Sequence, residues 1–367
     1  MNEPVMSEPD IARIHRPVLL EDCVDLVAPA LTRRPGATVV DCTLGLAGHS
    51  TAFLKAAPEA RLIGIDRDAE ALALATRRLR EAGLADRFTP VHAAFDAMGD
   101  VLDRLGVTAV DAVFMDLGLS SLQIDETDRG FSYSHDAPLD MRMDASQPLT
   151  AADVLARYDA HALTRIFREY GEERFASRIA ARIVHDRESE PLTTSGQLNR
   201  LVDDVVPQAH RPAGNPAKRV FQALRIEVNG ELDKLARTLP QAAAHLAVGG
   251  RIVVESYHSL EDRTVKRFMA QGLTADVPAG LPVIPEDALP FFRDLTHGAI
   301  KADEAEIAAN PRSASVRLRA VELTRPLPER WIRQFASDAA AANPAHHGRS
   351  QSASARPARK VRSERRR

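Results

Sequence analysis

The stretch "ATVVDCTLGLAGHSTAFL", residues 37–54, decides the fold of this chain. Thr38, Val39 and Val40 suit a buried strand that ends at Asp41, and after a short turn with two glycines a helix begins at once. In an open α/β sheet such a turn directs backbone N–H groups at a helix N-terminus toward a ligand beyond the carboxyl ends of the strands. The stretch therefore predicts a ligand-binding turn after the first strand of an α/β sheet.

Strand-like apolar runs alternate with amphipathic segments on both sides of this stretch. An example of a helical segment is 69–83, "AEALALATRRLREAG", which follows the second strand. This alternation is typical of a parallel, doubly wound α/β sheet. A last, partly alternating run at 315–323 is predicted to add an edge strand. The predicted inner strands are 37–41, 61–66, 88–93, 109–118 and, after a long gap, 249–256.

The long gap, 150–213, contains no strand pattern and carries apolar residues at helical spacing. We interpret it as a helical domain inserted into the sheet domain, with the Pro- and Gly-rich segment 211–218 as the return linker. One long helix should follow and pack back onto the sheet. Its apolar face carries Phe221, Leu224, Val228, Leu232 and Leu235. The predicted division is a sheet domain at 1–145 and 216–330, a helical insert at 146–215 and a C-terminal segment at 331–367.

Composition and charge restrict the possible location and partners of the protein. The chain has 44% hydrophobic residues, two cysteines and no apolar run of membrane-spanning length, so a cytoplasmic protein without contact to a membrane is expected. The net charge is -3, yet Arg349 to Arg367 hold eight basic residues and one acid. This segment is predicted to be a disordered basic tail. It is either a solvated end or a non-specific contact to RNA phosphates, and both interpretations stay open.

The glycine spacing of the turn restricts the class of ligand that it can bind. A dinucleotide-binding turn has the pattern G-x-G-x-x-G, whereas this turn offers only Gly45 and Gly48, which disfavours a pyrophosphate and a dehydrogenase. Asp66, 25 residues after Asp41, stands where an acid binds ribose hydroxyls, although it could instead cap the next helix. A nucleoside with a sulfonium in place of phosphates is S-adenosylmethionine, which Phe95 and Asp116 could line.

Several long motifs follow one another along the chain. They include "HRPVLLEDCVDLV", "DCTLGLAGHS", "DLGLSSLQID", "APLDMRMD", "FQALRIEVNGELDKL", "SYHSLEDR" and "NPRSASVRLRAVE". Together they resemble the RsmH (MraW) family of 16S ribosomal RNA cytosine-N4 methyltransferases, and the resemblance covers about residues 14 to 323. It implies a Rossmann-like, S-adenosylmethionine-dependent methyltransferase sheet with an inserted all-helical domain that binds RNA. It also implies a cytosine in the decoding region of 16S rRNA, within the small ribosomal subunit, as the partner.

The resemblance also implies which residues hold the methyl donor. They are Ala47, Gly48, His49, Asp66, Phe95, Asp116 and Gln123. Two departures from the family pattern stand out: the turn has fewer glycines than usual, and Leu122 occupies a position where proline is common. If the turn needs a positive φ at Ala47, its Cβ would crowd the donor.

Methylation of an exocyclic amine requires acceptors for its protons, because its lone pair is delocalised into the ring. In "DLGLSS", 116–121, these are main-chain carbonyls, Asp116 or Ser120, and the sequence does not choose among them. Methylation of cytosine C5 would instead need a cysteine nucleophile, but Cys42 is interpreted as a buried apolar residue. An RNA-binding or assembly factor with a degenerate donor pocket is the alternative function, which the scarcity of aromatic residues disfavours.

Two residues are candidates for contact with the substrate. His258 either relays a proton or contacts RNA, or else makes a structural hydrogen bond, while Ser259 and Asp262 are predicted to cap the following helix. Arg142, between Asp140 and Asp144, either donates two hydrogen bonds to a phosphate or base, or forms an internal ion pair. A basic row in the insert is predicted to follow an RNA backbone. The row consists of Arg174, Arg178 and Arg182.

Overall fold

A computed structural model describes residues 17–120, 129–131, 135–211, 215–275, 277 and 283–341. Its centre is a seven-stranded sheet with the order β3-β2-β1-β4-β5-β7-β6. The first five strands are parallel, and β7 and β6 are antiparallel to their neighbours. The strands are β1 Thr38–Asp41, β2 Arg61–Asp66, β3 Phe88–His92, β4 Val110–Asp116, β5 Leu246–Ser256, β6 Phe292–Asp294 and β7 Arg317–Leu323.

Helices cover both faces of the sheet and also form a separate layer. Among the described residues, no helix has the length and apolar character that crossing a membrane requires. The helices of the sheet domain are α1 Leu20–Leu31, α2 Gly48–Ala56, α3 Ala69–Glu81, α4 Met98–Leu105, α10 Glu231–Ala244, α11 Ser259–Leu273, α12 Glu304–Ala309 and α13 Glu329–Ala341. Between β4 and α10 lie α5 Ala151–Arg157, α6 Ala160–Glu169, α7 Ala176–Asp186, α8 Ser195–Val205 and α9 Lys218–Asn229.

The first five predicted strands and the α/β class are confirmed, but the edge of the sheet was predicted wrongly. The predicted edge strand, β7, pairs with β5 on one side and with β6 on the other, so β6 forms the edge. The three residues of β6 contain one buried apolar side chain, Phe292, which is too short a run for an alternating pattern.

The sheet is doubly wound, with one hydrophobic core on each face. On one face α1, α2 and α3 pack through residues such as Val27, Phe53 and Leu79. On the other face α4, α10, α11 and α13 pack through residues such as Leu239 and Phe268. This packing explains why the central strands are apolar on both sides: β4 is buried along its length up to Asp116.

The helical layer has a core of its own, and the predicted long helix after it is wrong. The chain breaks at Gly230, where φ is 60°, and α9 ends and α10 begins there. Phe221, Leu224 and Val228 belong to the helical core, whereas Leu235 packs on the sheet. A left-handed glycine ends a helix without a Cβ penalty, which the apolar spacing does not reveal. We propose that the helical domain runs to Gly230, beyond the predicted boundary of 215.

Candidate active site

A cavity of about 930 Å³ opens at the carboxyl edge of the sheet, where the helical layer meets it. We call its two sides the strand wall and the helix wall. The lining also includes Pro17, Val18 and residues of the segment 309–315, among others. The strand wall consists of Asp41, Gly45, Gly48, His49, Asp66, Phe95, Asp116 and Ser120. The helix wall consists of Lys218, Phe221, Gln222, Arg225, Glu231, His258 and Glu261.

The turn after β1 has the strained backbone that its sequence suggested. Ala47 adopts a φ of 58°, and its methyl group is buried in the hydrophobic core beneath the turn, away from the residues that line the cavity. A Cβ on Gly48 would meet Cγ of Pro17 at 2.6 Å, so only glycine fits there. The side chain of Ala47 therefore does not crowd the cavity, and any ligand contact at this residue is left to its backbone.

Asp66 fixes the turn and faces the cavity. Its Oδ2 accepts a hydrogen bond from the backbone N–H of Gly45 at 2.7 Å, and its Oδ1 accepts from Asp68 N at 2.8 Å. The cap of α3 is Asp68, whose side chain accepts from Glu70 N and Ala71 N, so the capping interpretation of Asp66 is wrong. Each carboxylate oxygen keeps a second lone pair. Burial raises the pKa of Asp66.

Asp116 ends β4 and is held from three sides. Its Oδ1 accepts a hydrogen bond from Tyr257 Oη at 2.9 Å, and its backbone N–H donates to Thr43 Oγ1 at 2.6 Å. Its Oδ2 lies 3.8 Å from His49 Nδ1. The side chain remains 30% exposed to the cavity, and burial of the rest raises its pKa. Asp116 therefore combines access to a ligand with an unusually high proton affinity for a carboxylate.

Glu255 lies beside Asp116 at the same level of the sheet and has no counterpart in the sequence prediction. It is fully buried, and in the described part of the chain neither of its carboxyl oxygens has a hydrogen-bond partner. Burial and the nearby charge of Asp116 raise its pKa well above the ordinary value. Burial beside a second carboxylate therefore favours the neutral form of Glu255.

His49 lies between these two acids and is neutral as well. Its Nε2 is 2.9 Å from the carbonyl oxygen of Val18 and 3.5 Å from Glu255 Oε2, and burial lowers its pKa. Cys23, His49 and Glu255 are close enough together to hold a metal ion. The hydrogen bond to the carbonyl oxygen of Val18 requires the proton on His49 Nε2, so this nitrogen offers no lone pair to a metal ion.

The helix wall is built around one arginine. Arg225 Nε and Nη2 donate to the two carboxylate oxygens of Glu231, both at 2.9 Å, and Nη2 lies 3.9 Å from Glu261. Glu261 Oε2 also accepts from the backbone N–H groups of Tyr257 and His258. Despite its burial, the contacts of Glu261 with His258 and Arg225 lower its pKa. These contacts favour the charged form of Glu261, and Glu231 forms a two-point ion pair with Arg225.

His258 lines the cavity and is the N-cap of α11. Its Nδ1 accepts from Glu261 N at 3.4 Å, and its Nε2 lies 3.2 Å from Glu261 Oε1. The predicted cap at Ser259 is therefore wrong by one residue, because the imidazole supplies the acceptor. Ser259 instead donates to Glu172 Oε2 at 2.9 Å and ties the helical layer to α11. The structural hydrogen bond predicted as one role of His258 is present.

Arg142 is not among the residues that line the cavity, although its neighbours Met141 and Met143 are. Its Nε and Nη2 bind Asp140 at 2.8 and 2.7 Å, and its Nη1 donates to the carbonyls of Ala145 and Gln147. This is the internal ion pair, and the placement gives no support to a substrate contact. Gln123 lies outside the described residues. Of the other predicted donor residues, the cavity brings together Gly48, His49, Asp66, Phe95 and Asp116.

The model of the MraW methylase family matches residues 12–324. The chain belongs to this family. Three relatives share one description, ribosomal RNA small subunit methyltransferase H. That of Bifidobacterium adolescentis is 74% identical over 93% of this chain and 99% of its own. That of Bifidobacterium longum NCC 2705 is 75% identical over 91% and 93%. That of Beutenbergia cavernae is 56% identical over 89% and 98%.

The cofactor of this methylase is S-adenosylmethionine, and the strand wall fits it. The cavity volume lies at the upper end of the range for small-molecule sites, so it has room for more than a donor. The free lone pairs of Asp66 suit the two ribose hydroxyls, and Phe95, 8% exposed, offers an apolar surface for a purine. When bound, this cofactor supplies the electrophilic methyl group.

The sequence prediction missed the partners that hold these residues. Tyr257, Glu261, Arg225 and Glu231 lie within motifs that carry the family resemblance, "SYHSLEDR" and "FQALRIEVNGELDKL". Their roles depend on pairings between separate elements, such as Tyr257 with Asp116. An acid or arginine inside an otherwise apolar helix face was the available signal, since such residues are seldom buried unless paired.

Proposed function

We propose that this protein transfers a methyl group from S-adenosylmethionine to N4 of a cytosine in 16S rRNA, in the decoding region of the small ribosomal subunit. The observation that carries the proposal is one cavity with two different walls, one suited to an adenosine donor and one to a polar base. The relatives, described as small subunit ribosomal RNA methyltransferases, support the RNA substrate. Such a substrate places the protein in the cytoplasm.

The helix wall supports a cytosine as the base. Cytosine presents an amino donor beside two acceptors, and carboxylates are the usual partners of its N4 amine. Glu231 and Glu261 supply charged acceptors. Nη1 of Arg225 has no hydrogen bond among the described residues, which leaves donors for O2 or N3 of the base. Uracil would present a carbonyl to the same acids and would be repelled.

Asp116 is the proposed proton acceptor for the amine. Among the three choices that the sequence left open, its carboxylate combines exposure to the cavity with a raised pKa. A base works best when its pKa lies near the working pH. Tyr257 orients the carboxylate, and His49 and Glu255 surround its other side without adding charge. In this arrangement Asp116 accepts one proton from N4 as the nitrogen attacks.

The thiols support an amine target over a carbon target. Cys42 is 2% exposed, its Sγ lies 3.7 Å from Sδ of Met98, and burial raises the pKa of the thiol well above its ordinary value. A buried neutral thiol does not add to a pyrimidine ring. The recessed cavity also requires a target nucleotide that is single-stranded or flipped out of a helix.

Mass spectrometry of small-subunit rRNA from cells with and without this protein tests the proposal. We expect one N4-methylcytosine to disappear in the deletion strain and to return with the wild-type chain. Unchanged RNA would contradict the proposal. Titration of the purified protein with S-adenosylmethionine by calorimetry separates the alternative, because an assembly factor with a degenerate pocket would not bind the donor.

A further inference from the structure

A second cavity, of about 210 Å³, lies on the helical domain. It is formed where the turn before α7, the segment after α8 and the first turn of α9 meet. Its volume is below that of pockets for drug-sized ligands and is closer to that of one planar ring system. The lining residues are Glu173, Arg174, Phe175, Val206, His210, Pro216 and Arg219.

The interior of this cavity suits a nucleobase. The rings of Phe175 and His210 lie edge to face with centroids 5.6 Å apart, and the guanidinium of Arg178 is 5.8 Å from the Phe175 centroid. Unstacked RNA bases bind to such aromatic rings and guanidinium planes. Glu173, 7% exposed, accepts the N–H of Phe175 through Oε1. Its Oε2 has no hydrogen bond among the described residues and is an acceptor for an amino group.

Exposed cations surround the cavity, while Glu173 is the acid in its lining. Arg174, Arg178, Lys218 and Arg219 are exposed, and in the described ranges none of them has a carboxylate within salt-bridge distance. Arg182, the third member of the predicted basic row, is different because it pairs with Asp186 on its own helix. Exposed cations without a salt bridge at the edge of an aromatic pocket suit contact with a phosphate backbone.

The two cavities are adjacent in the fold. Lys218 lines the large cavity and the next residue, Arg219, lines the small one, both in the first turn of α9. Arg219 Nη1 also donates to the carbonyl of Glu172, whose carboxylate binds Ser259 and Arg263 at the start of α11. The small cavity is thereby fixed relative to His258 and the helix wall, and one RNA strand can occupy both.

We propose that the small cavity binds a nucleotide of the substrate RNA near the methylated one, with its base against Phe175 and His210 and its phosphates on Arg174 and Arg219. This inference rests on the proposed function. It makes the helical domain a specificity element for the RNA that flanks the target, and the site lies outside the donor cavity.

The test uses the full-length chain, a short single-stranded RNA with a central cytosine, and fluorescence anisotropy. For Arg174→Ala/Arg219→Ala we expect RNA affinity to fall about tenfold at low salt and the salt slope to shrink by about 1.4, the value for two phosphates on a single strand. His210→Ala should cost at least fivefold from lost stacking. Arg182→Ala is the control: it removes a cation of the same predicted basic row, on α7, that is paired with Asp186, and it should bind like the wild type. Circular dichroism confirms that each variant is folded.

Kinetics distinguish this inference from the proposed function. In methyl-transfer assays the double variant should raise KM for RNA while kcat and donor affinity stay unchanged. If the wild type methylates RNA and the double variant has the same KM and Kd as Arg182→Ala, the inference is overturned and the function stands. If the wild type methylates no RNA but the binding difference persists, the function fails and the site stands. Equal loss in all three variants would indicate only a general charge effect and would also overturn the inference.

Discussion

The buried acids of the two walls of the large cavity have different partners. On the strand wall, Asp41, Asp66 and Asp116 are held by backbone N–H groups and hydroxyls, and no arginine or lysine within the described residues pairs with them. On the helix wall, Glu231 and Glu261 both face the guanidinium of Arg225. The comparison teaches that the strand wall keeps acceptors with raised proton affinity, whereas the helix wall presents permanent charges in fixed positions.

Removing the arginine of the helix wall should have the largest effect. Arg225→Met removes the guanidinium that two buried carboxylates face, and breaking a buried ion pair costs about 3–5 kcal/mol of unfolding free energy. Urea denaturation measures it. Arg157→Met is the matched control, because Arg157 is 70% exposed in its pair with Asp153 and should change stability by less than about 1 kcal/mol. Equal effects of the two variants would show that the helix wall is not a buried charge cluster.

Asp116→Asn tests the opposite property of the strand wall. The amide keeps the size of the side chain but accepts no proton, so we expect kcat to fall about 100-fold, within the usual range for a lost general base. Methyl transfer to RNA under saturating donor measures this. A residual rate above a third of the wild-type rate would assign the proton to a main-chain carbonyl or Ser120.

The pH dependence of the methyl-transfer rate is a second test of Asp116 as the proton acceptor. Because burial raises the pKa of Asp116, its carboxylate form is lost at a higher pH than for an ordinary aspartate, whose pKa is about 3.9. The raised pKa of Asp116 is about 7. As the pH decreases through this value, the wild-type rate should therefore fall. The residual activity of Asp116→Asn should lack that acid limb. A wild-type profile that is flat from about pH 5 upward would contradict the raised pKa.

Asp66→Ala should weaken S-adenosylmethionine binding by more than tenfold, since hydrogen bonds to a charged group contribute about 1.5–3 kcal/mol. Calorimetry measures the affinity. Asp68→Ala is the control: it removes the cap of α3 in the same turn but no side chain that lines the cavity. Unchanged affinity in Asp66→Ala would remove this acid from the ribose.

The smallest effect is expected from deleting Arg349 to Arg367. The lost positive charge should lower RNA affinity mainly at low salt, because exposed charges act on phosphates through a salt-sensitive interaction. Anisotropy at two salt concentrations measures it, with the affinity for the donor as the control. A loss that is independent of salt would count against a phosphate-binding tail.

The sequence predicts the strand wall far better than the helix wall. Asp66 and Asp116 are readable because a strand pattern ends at each of them, and the carboxyl ends of parallel strands meet at one edge. The ion pair of Arg225 with Glu231 could not be predicted from the sequence. It depends on the helix break at Gly230, and the helical spacing of apolar residues continues through this position. The burial of Glu255 could not be predicted either, because in the sequence a single acid in a strand looks the same whether it is buried or faces solvent.

Gly230 has a consequence for how the two domains move. The ion pair of Arg225 with Glu231 straddles this glycine, with one member anchored in the helical core and the other at the start of the helix that lies on the sheet. Any swing of the helical domain about Gly230 would pull the pair apart and strand a charge in a dry pocket. The ion pair of the helix wall thus opposes a rotation of the helical layer about Gly230 and favours one arrangement of the two sides of the cavity.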